Sequence, residues 1–350
     1  MKNQNVKKKG SSKLKLVFKI VLLLAASMLI CVTAYGVYLS KKAEHAADTA
    51  FEKLEDRSTP ELREAKVEPN DDNVSILFVG VDDSEKRGQG ADNSRSDALL
   101  LATLNNKTKT VKLLSIPRDS YVYIPYVGYN DKITHAHAYG STLATVETVE
   151  ELFDIPVDYY FRLNFEAFID IVDALGGVEV DVPYKLNELD EHDKRTVKLQ
   201  PGLQELNGSE ALAFARTRKL DSDIERGKRQ QEVIKAIADK ASSFKSITKY
   251  DDILEAVGNN MKTDMSFSEM KSFFSYLTKG MPRIDTLNIK GYDDTSTGTY
   301  YYKLDEDSLE ETKQILQSHL GLNLDSTDLT STDSSSEHTS SDSDDDDTVQ

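Results

Sequence analysis

One cysteine, Cys31, occurs in 350 residues, and it lies inside a long apolar run. The chain beyond that run therefore has no disulfide, no thiol nucleophile and no cysteine metal ligand. It must be stable through core burial alone, which about 250 residues can supply. The phosphate loop GxxxxGK[ST] is absent too, so a nucleoside triphosphate is not the expected ligand. No internal repeat is present. Basic residues are scarce, 43 Lys and Arg against 60 Asp and Glu, for a net charge of −17. An acidic exterior argues against nucleic acid as a partner. Local basic clusters run against that trend and carry information.

Ile20 to Ser40 contains no charge, and as a helix it would span about 31 Å, the thickness of a bilayer core. Seven lysines and no acidic residue precede it. The positive-inside rule then expects residues 1–19 in the cytoplasm and everything after Lys41 outside, a single-pass type II protein of the cell membrane with an extracellular domain. A signal peptide cleaved near Val32-Thr33-Ala34 is the other reading, but the run exceeds an h-region of about 7–15 residues. Lipidation at Cys31 would follow the bulky Ile30. The expected organisation is a basic segment 1–19, a transmembrane helix 20–40, a stalk and linker 41–73, a folded domain 74–322 and an acidic Ser/Asp tail 323–350, too polar to fold.

Within the domain, VSILFVGV from Val74, DALLLATL at Asp97–Leu104 and TVKLLSIP at Thr110–Pro117 read as strands. Helices are predicted at Ser141–Phe153 and Phe165–Leu175, with strands at Val157–Leu163 and Val178–Val182. From Asn207 onward the chain is mostly helical: Gly208–Ala215, Asp223–Phe244, Asp251–Val257, Ser266–Leu277 and Asp305–Leu320, with a short strand near Thr286–Ile289. Interleaving of this kind predicts an α/β fold, a mixed central sheet flanked by helices.

The segment DSDIERGKRQQ, Asp221 to Gln231, follows closely on FARTR, Phe214 to Arg218. At about 100° per residue, Arg226, Gln230, Val233, Ile237 and Phe244 share one stripe, with Arg229 at its margin. Arginine is seldom fully buried unless paired, because an uncompensated interior charge costs several kcal/mol. Arginines aimed along a core stripe therefore expect an anion.

Further polar clusters stand at the ends of predicted elements: Asp82 and Asp83 after the first strand, Arg95 and Asp97 in SRSD, Arg118 and Asp119 in SIPRD, and Lys132 in DKITHA. With Arg216, Arg218, Asp223, Arg226, Arg229 and Gln230 they amount to the equipment of a pyrophosphate site. Arginines grip phosphate oxygens bidentately, and two aspartates hold a Mg²⁺ (or Mn²⁺) that neutralises charge between phosphates. Asp97, Asp119 and Asp223 are unranked candidates for a general base. His135 and His137 have no evident third metal ligand and read as structural. Tyr300-Tyr301-Tyr302 reads as core or edge packing in preference to a sugar platform.

At GVD (Gly80–Asp82), RSD (Arg95–Asp97), SIPRD, DKITHA, FARTR and DSDIERGKRQQ, the chain resembles the LytR-CpsA-Psr family of cell-envelope proteins, over about Val74 to Leu322. The resemblance implies a Gram-positive phosphotransferase that moves a glycopolymer, wall teichoic acid or capsular polysaccharide, from a polyprenyl-pyrophosphate carrier to the muramic acid 6-hydroxyl of peptidoglycan. It implies Mg²⁺ at Asp82 and Asp97, and Arg95, Arg118, Arg216, Arg218, Arg226 and Gln230 around the pyrophosphate. It also implies an apolar lipid tunnel, for which Val233, Ile237 and Ala241 are the candidate lining. Some members carry one more arginine four residues past that of SIPRD; here the position is Val122, so that one phosphate contact is either missing or supplied by another residue, with Lys132 and Arg229 as the candidates. The rival functions are a polyprenyl-phosphate-binding adaptor without catalysis and a membrane-bound transcriptional attenuator. The second has only 19 cytoplasmic residues to work with, too few for a DNA-reading fold.

Overall fold

The computed structural model describes residues 33–54, 57, 60, 62–63, 65–82, 94–217, 222–243, 258, 260–278 and 282–322. A six-stranded mixed sheet organises them, in the order β11-β6-β1-β2-β3-β12. Its strands are β1 Val74–Val81, β2 Ser96–Asn105, β3 Thr110–Ser115, β6 Tyr159–Asn164, β11 Met261–Thr263 and β12 Arg283–Asn288. β1 and β2 run antiparallel, as do β2 and β3, whereas β6 lies parallel to β1 and β12 parallel to β3.

Side chains alternate across this sheet with period two, and each set meets its own layer of helices. Leu77 and Val79 of β1, with Leu99 and Leu101 of β2, pack under helix α2, Ile133–Phe153, and under the C-terminal helix Glu306–Leu320. Phe78, Gly80, Ala98 and Leu100 point the other way. That second face is covered by α3 (Phe165–Ala174), α4 (Gly208–Arg216) and α5 (Asp223–Ser243).

Two small hairpins stand outside the sheet: β4 Tyr121–Ile124 with β5 Tyr129–Lys132, and β13 Gly291–Asp294 with β14 Tyr301–Leu304. An isolated bridge from Ser120 to Tyr302 ties one to the other. The pairs β7 Val178–Val182 with β10 Gly202–Leu206, and β8 Leu186–Glu188 with β9 Val197–Leu199, complete the strands among the described residues.

The segment expected as stalk and linker lies on the domain. Residues 33–50 form helix α1, whose Ala46, Ala47 and Ala50 are buried, and Phe51 bridges to Thr263. Arg57 donates to Glu150 at 2.7 Å, and Arg63 pairs with Asp158 at 2.7 Å. Prolines and charge density made this stretch read as a linker, but its arginines are tied to half-buried Glu150 and buried Asp158. Among the described residues no helix is long and apolar enough to cross a membrane. The expected span falls mostly outside them, as do the basic segment, the acidic tail and the predicted helix Asp251–Val257.

A candidate lipid diphosphate site

A cavity of about 420 Å³ lies between the sheet and α3, α4 and α5. Its floor is Phe78, Gly80, Ala98, Leu100, Phe161 and Leu163, and its walls include Phe168 and Ile171 of α3 and Leu212 of α4. Helix α5 contributes Arg226, Gln230, Val233, Ile234, Ile237 and Ala238. One part of the lining is therefore polar, Asp97, Arg216, Arg226 and Gln230, and the rest is almost wholly apolar. An isoprenoid chain and a charged headgroup have these two requirements.

Gly227 sets the depth at which α5 packs. A Cβ there would lie 2.8 Å from Ser115 Oγ, so only glycine lets the start of α5 press against the end of β3. Ser115 Oγ then reaches Gln230 at 3.3 Å. Gln231 donates to Leu113 O and Leu287 O, at 3.0 and 2.8 Å, and so pins α5 across β3 and β12.

Around the polar part, Arg118 donates to Asp97 Oδ1, and its Nε lies 3.6 Å from Asp119 Oδ2. Lys132 Nζ holds the other Asp119 oxygen at 2.8 Å. Arg226 is buried and donates to the Asp97 main-chain carbonyl at 2.5 Å. Arg216 stacks on Phe165, 4.3 Å from the ring centroid, with Asp82 at 4.0 Å. Burial alone would lower the pKa of Arg118, but the charges of Asp97, Asp119 and Asp223 outweigh it and raise the value. The guanidinium is therefore held charged at the rim.

Asp82 and Asp97, both buried, stand at adjacent ends of β1 and β2, where Val81 pairs with Ser96 across a register shift. Asp119 and Asp223 join Asp97 in stabilising the charge on Arg118.

Other candidates are placed differently. Arg229 is buried, but its donors go to Phe214 O at 3.1 Å, Thr217 O at 2.6 Å and Tyr184 Oη at 3.2 Å. It holds the C-terminal carbonyls of α4 and the turn of FARTR instead of facing the cavity. Thr217 of the same turn donates to buried Glu188 at 2.7 Å. Arg95 precedes β2 and is exposed, so it does not share a strand face with Asp97. Ala241 is also exposed and does not line the cavity. It has the right angular position on α5, but it lies about 6 Å further along the axis than Ile237, past the cavity's end. Arg218, Asp83 and Phe244 lie outside the described residues. Val122 belongs to the core. His137 is buried with Nδ1 2.8 Å from Ser94 O, and His135 lies 2.8 Å from Asp131. The wall provided by Phe165, Phe168 and Ile171 was not anticipated; its i, i+3, i+6 spacing announced a buried helix face without saying that it lined a void.

This geometry can be set beside known proteins. The family model described as the LytR_cpsA_psr family matches residues 35–318. The chain belongs to that family. Polyisoprenyl-teichoic acid–peptidoglycan teichoic acid transferase TagT of Bacillus subtilis (strain 168) is 43% identical over 324 residues, covering 92% of this chain and all of TagT. A structure of TagT bound to LIIa-WTA superposes with a TM-score of 0.67 at 42% identity, covering 77% of this chain and 100% of the other. Another, with bound octaprenyl pyrophosphate lipid, gives 0.64 at 39% identity with coverage of 77% and 100%.

Proposed function

We propose that this chain transfers a phosphate-linked glycopolymer from a polyprenyl-pyrophosphate carrier to a hydroxyl of peptidoglycan. The single observation that carries the reading is an apolar cavity lined at one part by Arg216, Arg226 and Gln230, with Arg118 at Asp97 beside them. The names of the relatives, teichoic acid transferases, support it.

In this mechanism the isoprenoid tail fills the cavity and excludes water from it. Arg118, Arg216 and Arg226 grip the diphosphate oxygens, in a low-dielectric setting where charge stabilisation is strong. The acceptor hydroxyl oxygen attacks the sugar-side phosphorus, a new P–O bond forms, and the bond to the bridging oxygen breaks. Polyprenyl phosphate leaves with the electron pair. The hydroxyl proton passes to a carboxylate among Asp97, Asp119 and Asp223. Asp97 also fixes the fork of Arg118.

Asp82 and Asp97 suit a Mg²⁺ ion. Among the described residues no cluster of three or more His, Cys, Asp or Glu is placed to hold a metal. Mg²⁺ needs no such cage, since it commonly takes one or two carboxylates and completes its shell with phosphate oxygens and water. When bound, the ion would neutralise charge between the two phosphates.

The seven lysines before an uncharged run support anchoring in the cell membrane with the catalytic domain outside. The test is a reaction of the purified full chain with lipid-linked polymer and peptidoglycan strands. Polymer joined to glycan with release of polyprenyl phosphate is expected; lipid binding without release would leave only the adaptor role.

A further inference from the structure

The tyrosines read as packing in the sequence divide in the structure. Tyr302 is buried, and its main-chain N–H donates to Asp119 O at 2.9 Å. Tyr300 and Tyr301 are only partly covered. This anchor at Asp119 fixes the β13–β14 hairpin against the polar end of the site. Tyr301 meets Tyr121 edge to face, with centroids 4.8 Å apart. Tyr300 donates its hydroxyl to Asp293 at 2.9 Å, which sets the plane of its ring.

Two ammonium groups are threaded among these rings. Lys303 Nζ lies 3.2 Å from the centroid of Tyr121 and 5.9 Å from that of Tyr301. Lys132 Nζ, while bonded to Asp119, lies 5.6 and 5.7 Å from the centroids of Tyr300 and Tyr301. Neither Tyr300 nor Tyr301 belongs to a hydrophobic core cluster. Burial therefore does not account for aromatic residues at these positions.

Position supplies the account. From the cavity, contacts run from Asp97 to Arg118, to Asp119, to Lys132 and then to the rings. The lipid occupies one end of that line, so the rings stand at the other, where a second substrate must approach. Tyrosine faces suit the axial C–H surface of a pyranose, and the ammonium groups suit acidic substituents on it. In a chain of net charge −17, two lysines set in an aromatic patch indicate an acidic glycan.

We infer that Tyr300 and Tyr301, flanked by Tyr121, Lys132 and Lys303, form the acceptor subsite, which stacks sugars of a carboxylate-bearing glycan strand beside Asp119. The inference rests on the proposed transfer reaction, but its test does not require turnover. Binding of a soluble, uncross-linked peptidoglycan glycan strand to the full chain is measured by calorimetry, alongside binding of octaprenyl pyrophosphate. Tyr301→Ala should weaken glycan binding about tenfold, the scale of one aromatic contact. Tyr301→Phe, which keeps the ring, should bind near wild type, and all three proteins should hold the prenyl diphosphate equally. In the transfer assay Tyr301→Ala should raise KM for acceptor and leave KM for donor unchanged.

Glycan binding that is absent in wild type, or unaltered in Tyr301→Ala, overturns the subsite. Weakened prenyl diphosphate binding in Tyr301→Ala also overturns it, since the rings would then serve the donor. Loss of glycan affinity equal in Ala and Phe variants rejects stacking. Failure of wild type to transfer while it binds glycan in this manner would instead reject the reaction and leave the subsite standing.

Discussion

Arg118 reaches from the end of β3 to donate to Asp97 Oδ1 at the start of β2, so guanidinium and carboxylate act as one unit. Removing the arginine takes away a proposed phosphate donor and the hydrogen bond to Asp97. Arg118→Ala should lower transfer at least about 100-fold, as does loss of a group that stabilises transition-state charge. Steady-state kinetics with lipid-linked donor checks this; near wild-type turnover would remove Arg118 from the mechanism.

Arg229 should behave differently from Arg226, although the two share one motif. Its guanidinium joins Phe214 O and Thr217 O to Tyr184. Arg229→Ala should cost about 2–3 kcal/mol of stability, from buried charge-assisted hydrogen bonds left unmade. Arg229→Lys should fail to restore it, because an ammonium lacks the planar fork that spans these acceptors. Chemical denaturation of both variants gives the answer.

The cavity can be narrowed from one helix position and spared from another. Ala238 lines it and Ala241 does not. Ala238→Phe should reduce octaprenyl pyrophosphate affinity tenfold or more, roughly the transfer free energy of two displaced methylenes. Ala241→Phe should leave it unchanged. Equal effects from the two would place the lipid elsewhere.

His319 joins the C-terminal helix to the sheet, with Nδ1 2.8 Å from Thr103 Oγ1 and Nε2 2.8 Å from Thr110 Oγ1. Burial, with Lys112 adding to it and Asp285 opposing, lowers its pKa from 6.5 to about 4. The unfolded chain thus binds a proton that the folded chain refuses between those values. Stability should be fully present above about pH 6.5 and fall as pH drops toward 4. Denaturation midpoints across that window should fall less steeply in His319→Gln than in wild type.

Gly227 brings α5 within reach of Ser115. Gly227→Ala should cost about 1–3 kcal/mol through overpacking and weaken lipid binding by shifting Arg226 and Gln230. Adding Ser115→Gly should recover much of both losses. Thermal unfolding and lipid titration of the single and double variants measure the recovery.

Much of this arrangement was legible in the sequence because apolar runs and helix periods report burial directly. VSILFVGV is β1 in full, and Asp305, expected to open the last helix, caps it through Ser308 N. The predicted helix Ser141–Phe153 is the second part of α2, which breaks at Gly140 and Ser141 and begins at Ile133. DKITHA concealed that start, since four polar side chains, Asp131, Lys132, Thr134 and His135, obscure a one-turn periodicity. The hairpins β4–β5 and β13–β14 went unread because four-residue strands rich in Tyr, Asn and Asp carry no clean alternation. A stripe also gives direction around a helix axis but not the partner it meets. That is why Arg226 and Arg229 looked alike, and why Ala241 looked like a wall.

The central claim is that the guanidinium groups at the cavity, buried at Arg226 and half-buried at Arg216, exist to hold a diphosphate on a lipid. Its most direct test compares binding of octaprenyl pyrophosphate and octaprenol to wild type and to Arg226→Ala. The diphosphate should bind wild type at least about 100-fold more tightly than the alcohol, from charge-assisted hydrogen bonds to the headgroup, and that preference should collapse in the variant. Equal affinity for the two lipids in wild type would contradict the account.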